Sequence, residues 1–298
     1  MTAKPITSNS GQTVTDGQKK QYRRFMEDVT ERTLKEAGLD KDSIQRFLGN
    51  GDEFYTELLT LVKKHSVTDE FSDEEVESSY GYPAGYKPLG ITEQTNCLRE
   101  LFPGCGYADE KLAEQELPDG AEGWFAIPRW EKFGSTYAQA LERVIAKLKE
   151  LHGDKFFNYR EGALTDKHVR LTERTAARLK LLGEQQKGYD LMVVPSQFGL
   201  RHRGRSVRRA RVVFISNEFG LDPFSAAIML LTHPMRLQRN EDLCIDCAGA
   251  DYRPSGSGSF SYCLSFGWSV GELNFDYNVL NNASENFGSA SAFGGASA

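Results

Sequence analysis

Six arginines crowd into eleven residues of this chain, and any fold it adopts has to answer their charge. The arginines are Arg201, Arg203, Arg205, Arg208, Arg209 and Arg211. Like charges at helical spacing repel each other by about 0.2–0.5 kcal/mol per pair. Compensating charge comes either from an anionic partner or from carboxylates of the same chain. We call residues 201–211 the arginine segment. The main functional question that the sequence raises is which of these two sources compensates its charge.

Composition limits the answer. The chain has 298 residues and a net charge of −6, so the residues outside the arginine segment sum to −12. Dedicated nucleic-acid-binding proteins usually carry a positive balance, and the acidic total counts against that class. A local basic patch on an acidic body still suits a small anionic ligand, because acidic surroundings discourage non-specific binding of polyanions.

Location follows from apolar runs and cysteines. The longest apolar run, residues 226–231, is far too short to cross a bilayer. The N-terminus shows no apolar stretch of a secretory signal. Five cysteines are an odd and sparse set, which is typical of reduced thiols in a cytosol. We therefore expect a soluble cytoplasmic protein without a membrane partner.

The first third of the chain divides by composition. Residues 1–16 are polar, and we expect them to be disordered. Residues 17–66 show the spacing of three helices, in which Tyr22 and Phe25 are expected to face a core. Residues 67–90 hold six acids in nine residues, the acidic segment 69–77, followed by a Tyr/Gly/Pro run. This composition predicts a linker that lies on a surface.

Residues 91–298 alternate strand and helix patterns, which predicts an α/β or α+β domain with a mixed sheet and packed helices. The expected strands are 124–127, 156–159, 189–194 and 243–248. Pro195 is expected to stop the third of these strands. The expected helices include one capped by Ser135 and stopped by Gly153, one over 165–182, and one begun by Asp222-Pro223. Alternation from Phe260 to Val270 and from Leu273 to Val279 predicts a C-terminal antiparallel hairpin. The Gly/Ser/Ala-rich tail gives no prediction.

The arginine segment itself follows a predicted strand and a loop, and Ser206 is a suitable cap for a helix over 207–216. Guanidinium groups bind phosphate or carboxylate in a bidentate manner, and Gly199 and Gly204 leave room for a ligand to approach the backbone. The predicted anion-binding residues are Arg201, His202, Arg203, Arg205, Ser206, Arg208, Arg209 and Arg211.

Three functions remain open for this segment. The leading hypothesis is a non-enzymatic protein that binds phosphate groups of nucleic acid. The second is an enzyme for a phosphorylated or other anionic substrate, with His233 and Asp246 as acid and base. The third is a structural or partner-binding protein in which the arginines pair internally, for which the acidic segment offers six charges. Substrate, cofactor, catalytic residues and oligomeric state stay open.

Other residues favour plain structural roles. Cys244 and Cys247 form a single C-x-x-C without a second pair, so we expect buried reduced thiols and no metal site. No Walker A, dinucleotide or hydrolase motif is present. The aromatic residues Tyr80, Tyr82, Tyr86, Trp124 and Trp130 suit base stacking, but packing over the domain is the commoner use of such residues.

Several blocks carry a resemblance to known sequences. EGWFAIPRWEKFG, FNYREG, QFGLRHRGRSVRRA, NEFGL and LLTHPMRL resemble an uncharacterised family of bacterial hypothetical proteins, over most of the chain from about residue 20. The pattern KDSIQRFLGNGDEF is similar to a short module that also heads other uncharacterised bacterial proteins. The resemblance implies no activity, so no catalytic residue is carried over from it.

Overall fold

The computed structural model describes residues 16–65 and 70–294, and the fold is α+β. Contacts divide the chain into two compact units between Val62 and Lys63. Residues 70–90, predicted as part of a linker, therefore belong to the larger unit. The disorder predicted for residues 1–16 falls outside the described residues except at Asp16, which begins the first helix.

The described residues of the smaller unit form three helices, the last of which runs three residues past the division between the units. They are α1 (Asp16–Ala37), α2 (Lys41–Gly49) and α3 (Gly51–His65). Asp40 caps α2 by accepting a hydrogen bond from Ser43 N at 2.7 Å. Tyr22 and Phe25 do not face a core, since they are 46% and 61% exposed. That prediction was wrong because a unit this small has too little interior to cover the apolar stripe of α1.

The larger unit contains the remaining helices and all the described strands. Its helices are α4 (Ile91–Leu101), α5 (Tyr137–His152), α6 (Glu173–Gln185), α7 (Val207–Val213) and α8 (Pro223–Thr232). Its strands are β1 (Gly123–Pro128), β2 (Phe156–Asn158), β3 (Val169–Leu171), β4 (Leu191–Gln197), β5 (Glu218–Gly220), β6 (Cys244–Asp246), β7 (Ala250–Tyr252), β8 (Tyr262–Ser269), β9 (Glu272–Val279), β10 (Phe287–Ser289) and β11 (Ser291–Phe293).

A four-stranded antiparallel sheet in the order β1-β4-β11-β5 forms one layer. Every residue of β4 is buried, and helix α8 is buried along its whole length. Helix α8 contacts α5 and β1, so the main core lies between this sheet and these helices. The strand predicted to end at Pro195 continues to Gln197. Proline is tolerated there because the ladder from β4 to β11 covers only Ser196 and Gln197.

The second sheet is mixed, in the order β10-β6-β8-β7-β3, with β9 joining β8 to β2. Strands β10 and β6 are parallel, as are β2 and β9. The predicted C-terminal hairpin is confirmed, since β8 and β9 pair antiparallel from Tyr262↔Val279 to Ser269↔Glu272. Its two-residue turn has positive φ at Val270 (55°) and Gly271 (82°), as a tight hairpin requires.

Two helix starts differ from the prediction. Helix α6 begins at Glu173 rather than residue 165, because Val169–Leu171 forms β3 and pairs with β7. Three residues with apolar ends fit a strand as well as a helix, and only the distant partner decides between them. Helix α5 is capped by Thr136, which accepts from Gln139 N, and not by Ser135.

Candidate functional site

The arginine segment lies at the surface of the larger unit, between the end of β4 and the end of α7. Ser206 caps α7, as predicted, by accepting a hydrogen bond from Arg209 N at 3.1 Å. Helix α7 ends at Val213, earlier than predicted. Its inner residues, Val207 and Ala210, belong to a small apolar cluster completed by Phe214, Ala248 and Cys263. This packing turns the arginines of α7 toward its flanks.

The two glycines of the loop approach the chain's own backbone rather than open space. Gly199 has φ 130°, and a Cβ there would lie 2.6 Å from the carbonyl oxygen of Gly288. Gly204 has φ 74°, and a Cβ there would lie 2.2 Å from the carbonyl oxygen of Val76. Glycine is therefore needed for internal packing at both positions, which differs from the ligand approach that we expected.

Glu74 of the acidic segment occupies the entry to α7. Its carboxylate accepts two hydrogen bonds from Arg208 Nε, at 2.7 and 2.8 Å, and one from Ser206 Oγ at 2.6 Å. The backbone joins in, since Ser206 N donates to the carbonyl of Glu74 at 3.1 Å. The hydrogen bond from Arg208 is the largest influence on Glu74 and lowers the pKa of its carboxyl. Glu74 thus uses the groups that a phosphate would use.

Glu75 holds two further arginines. Arg205 Nε lies 3.1 Å from Glu75 Oε2, and Arg209 Nε donates to Glu75 Oε1. Arg209 Nη1 also donates to the carbonyl of Glu70 at 3.0 Å. Burial alone raises the pKa of Glu75, but the bonds and charges of Arg209 and Arg205 outweigh it and lower that pKa. We call the contact of Glu74 and Glu75 with Arg205, Arg208 and Arg209 the clasp.

Two other arginines are fixed by the body of the fold. Arg211 donates to the carbonyls of Ala248 and Ala250 at 2.8 and 3.1 Å, and to Asp251 Oδ1 at 2.9 Å. Arg201 Nε lies 3.4 Å from the buried carboxylate of Glu218. Neither partner belongs to the acidic segment, so these two arginines serve the packing of the larger unit.

Arg203 differs from the other five arginines. Its Nη1 donates to the carbonyl of Tyr80 at 2.9 Å, and no carboxylate of the described residues lies within ion-pair distance. It is exposed. Arg203 is therefore the arginine whose charge is least answered within the described part of the chain.

His202 belongs to a buried network and not to the surface. Arg205 Nη1 lies 3.2 Å from His202 Nδ1, and since arginine only donates, Nδ1 must accept. The proton then sits on Nε2, which donates to Glu218 Oε1 at 2.7 Å. Burial is the main cause that lowers the pKa of His202. Ser291 Oγ donates to the same oxygen at 2.6 Å, so a neutral histidine and a hydroxyl bind Glu218 in addition to the ion pair with Arg201.

The acid and base suggested for an enzyme do not form a pair. His233 Nδ1 donates to the carbonyl of Met229 at 3.0 Å and Nε2 accepts from Leu89 N at 2.9 Å, so both nitrogens are used. Burial lowers the pKa of His233 to about 4. Asp246 is fully buried, and burial raises its pKa to about 7. Within the described ranges the two residues share no hydrogen-bond partner, and this arrangement gives no support to acid–base catalysis by them.

The cysteines are free thiols in the structure. Cys244, Cys247 and Cys263 are buried, whereas Cys97 and Cys105 are partly exposed. Burial raises the pKa of Cys244 to about 11. Over residues 16–65 and 70–294, no cluster of three His, Cys, Asp or Glu side chains is placed to hold a metal ion.

The Tyr/Pro run covers a buried cluster that sequence reasoning missed. Arg236 is fully buried, and its guanidinium lies 3.6 Å from the centre of the Tyr82 ring. The Tyr82 hydroxyl donates to Glu122, whose pKa is raised mainly by burial. Arg236 Nε and Nη1 have no hydrogen-bond partner within the described residues. No motif marks Glu122 or Arg236, because residues far apart in the chain build this cluster.

Comparisons with known proteins add no relative: no family model, curated protein or solved structure matches the chain. The family resemblance noted from sequence blocks stays a prediction. None of the helices in the described ranges combines the length and apolar character needed to cross a membrane.

Proposed function

We propose that the larger unit is a non-enzymatic protein that binds phosphate groups of nucleic acid, and that the clasp must open before the partner binds. The clasp is the observation that carries this proposal. Glu74 and Glu75, in a segment without helix or strand, form ion pairs with three arginines. Glu74 accepts hydrogen bonds from both a guanidinium and a hydroxyl. Phosphate oxygens accept hydrogen bonds from the same groups.

The clasp is weak enough to exchange with a polyanion. Residues 70–77 form no helix or strand, and an isolated bridge joins Glu75 to Arg205. The Arg208 side chain is 40% exposed. The side chains of the three ion pairs are 12–40% exposed. Ion pairs that reach solvent contribute about 0–1 kcal/mol each, so the three hold the clasp with roughly 2 kcal/mol. A tethered competitor of that strength lowers the affinity for an external anion about 30-fold, at about 1.4 kcal/mol per factor of ten.

A structural role is favoured for the rest of the segment. Arg211 makes three hydrogen bonds to residues 248–251, and Arg201 faces the buried Glu218. These contacts belong to packed elements of the fold and have no reason to open. The proposal therefore assigns nucleic-acid phosphates to Arg203, Arg208 and Arg209 and internal pairing to the two outer arginines.

We place the protein in the reducing environment of the cytoplasm. All five cysteines are free in the structure, and three of them are buried without a disulfide partner. This condition is ordinary for a cytosolic protein and rare for a secreted one of similar cysteine content.

Binding of a fluorescently labelled single-stranded DNA tests the function. Anisotropy is measured at low salt and then over a salt series, for the wild-type chain and for the double variant Glu74→Gln/Glu75→Gln. We expect the variant to bind about 30-fold more tightly than the wild type, because its arginines are released. Its affinity should fall steeply with salt, since contacts to phosphate release counterions.

The matched control is Glu77→Gln/Glu116→Gln. It removes the same amount of charge from exposed glutamates that form no ion pair among the described residues. This control should bind like the wild type. Undetectable binding by the clasp variant at low salt contradicts the proposal, as does equal tightening by the control. Adding Arg208→Ala and Arg209→Ala to the clasp variant should abolish the gain.

A further inference from the structure

A cavity of the larger unit that contains no residue of the arginine segment has the form of a small-molecule site. Its volume is about 490 Å³, and it lies between the end of β1, helix α6 and the start of α8. Its wall is mainly apolar, built by Ile127, Trp130, Leu171, Leu179, Met192 and Phe224. Cavities of this size and lining commonly hold small ligands that a few polar groups orient.

Arg129 supplies a fixed cation at this wall. Its Nε donates to the carbonyl of Tyr189 at 3.1 Å, and its Nη2 donates to the carbonyls of Gly183 and Gln186 at 2.7 and 3.0 Å. The carbonyls of Gly183 and Gln186 lie at the end of α6 and that of Tyr189 lies beyond it, so three hydrogen bonds hold the guanidinium in one orientation. Nη1 has no hydrogen-bond partner, and Arg129 has no ion-pair partner, within the part of the chain that the structure describes. One donor nitrogen thus remains for a ligand.

The other charged residues around the cavity form no ion pair with Arg129 in the described part of the chain. Lys180 and Lys187 are exposed at its rim, as are Glu131 and Glu184, and these four charges cancel. Asp222 is buried at the start of α8, and its carboxylate is already satisfied. Its donors are the Tyr137 hydroxyl at 2.6 Å, Ser225 Oγ at 2.5 Å, Phe224 N at 3.1 Å and Ser225 N at 3.2 Å. The charged side chains of the lining therefore balance, three positive against three negative, and what the wall offers a ligand is Arg129 Nη1, which has no hydrogen-bond partner among the described residues.

We propose that this cavity binds a small carboxylate with an aromatic or branched apolar body. The carboxylate accepts hydrogen bonds from Arg129 Nη1, and the apolar body packs against Trp130 and Leu179. A carboxylate fits better than a phosphate group, because it carries one negative charge and Arg129 offers it one donor nitrogen in an apolar wall. The site is separate from the clasp and does not depend on the function proposed above.

Isothermal titration calorimetry with 2-naphthylacetate and its uncharged amide tests the ligand class. The wild-type chain should bind the acid, and the amide should bind about tenfold more weakly because it lacks the charge that Arg129 meets. Failure of the acid to bind at millimolar concentration overturns the proposal. Equal binding of the amide overturns the role of Arg129 and with it the carboxylate class.

Three variants locate the binding. Ala176→Trp fills the cavity from an exposed position of α6, and Ala177→Trp is its control, since residue 177 does not line the cavity. In Gly183→Ala, the new Cβ would lie 2.4 Å from Arg129 Nη1 and displace that nitrogen. Binding of the acid should be lost in the first variant, unchanged in the second and about tenfold weaker in the third. Retained binding in Ala176→Trp refutes the location, and circular dichroism of each variant verifies the fold.

Discussion

Arg208 and Arg211 lie three residues apart on α7, but Arg208 belongs to the clasp and Arg211 contacts the body of the fold. Replacing each arginine in turn therefore compares the stability that the two kinds of contact contribute. In Arg211→Met the carbonyls of Ala248 and Ala250 lose their donor, and each lost bond costs about 1 kcal/mol. The ion pair with Asp251 adds up to about 1 kcal/mol, since the Arg211 side chain is 23% exposed. Asp251 keeps Arg170, 3.1 Å away, so no buried charge is abandoned. We expect a loss of about 3 kcal/mol.

The main contact that Arg208→Met removes is the ion pair with Glu74. Both side chains reach solvent, and such a pair contributes at most about 1 kcal/mol. Methionine also preserves part of the packing that Arg208 makes on the Phe71 ring, whose centre is 4.1 Å from the guanidinium. The expected loss is therefore about a third of that in Arg211→Met.

Urea unfolding followed by tryptophan fluorescence measures the two losses. All three tryptophans, Trp124, Trp130 and Trp268, lie in the larger unit, so the signal reports that unit alone. Equal losses in the two variants, or a larger loss in Arg208→Met, refute the division of the arginine segment. The slope of the unfolding free energy with urea concentration should stay constant between the variants, since the surface exposed on unfolding is the same.

Two predictions concern pH. The pKa values of Glu74 and Glu75 are lowered in the folded state, so the clasp stabilises the larger unit above their unfolded pKa and this gain is lost as pH falls through their folded pKa. Urea midpoints of Glu74→Gln/Glu75→Gln should fall less on acidification than those of the wild type. The pKa of Asp246 is raised to about 7, so the folded state holds a proton that the unfolded state releases, and stability declines as pH rises from about 4 to about 7. Asp246→Asn should remove this decline, and an unchanged pH slope in that variant contradicts the argument.

Local signals in the sequence predicted the elements that depend on near neighbours. The β8–β9 hairpin follows from alternation over eight residues on each side of a two-residue turn. The start of α8 follows from Asp222-Pro223, where the aspartate accepts from the backbone of the first turn. In each case the stabilising contact lies within a few residues, so the pattern and the structure agree.

Elements that depend on distant partners were predicted less well. Strand β3 needs Ala250–Tyr252 to pair with, and without that partner Val169–Leu171 reads as the first turn of a helix. From the sequence, only the equal numbers of acids in the acidic segment and of arginines in the arginine segment indicated that the two could pair. Which glutamates pair depends on the backbone bond from Val76 N to Gly204 O at 2.8 Å, which joins residues far apart in the chain. The cavity beside Arg129 could not be predicted for the same reason, since its lining comes from segments far apart in the chain.

The order in which the arginines become available follows from the network behind the clasp. Arg205 bonds Glu75 on one side and His202 Nδ1 on the other, and His202 in turn bonds the buried Glu218. When Glu75 leaves, Arg205 keeps a neutral acceptor, and moving it would strand that nitrogen in a buried site. Arg208 has no such second acceptor in the described residues and is the most exposed member of the clasp. A polyanion should therefore engage Arg208 before Arg205, and Arg208→Ala should cost the clasp variant more DNA affinity than Arg205→Ala.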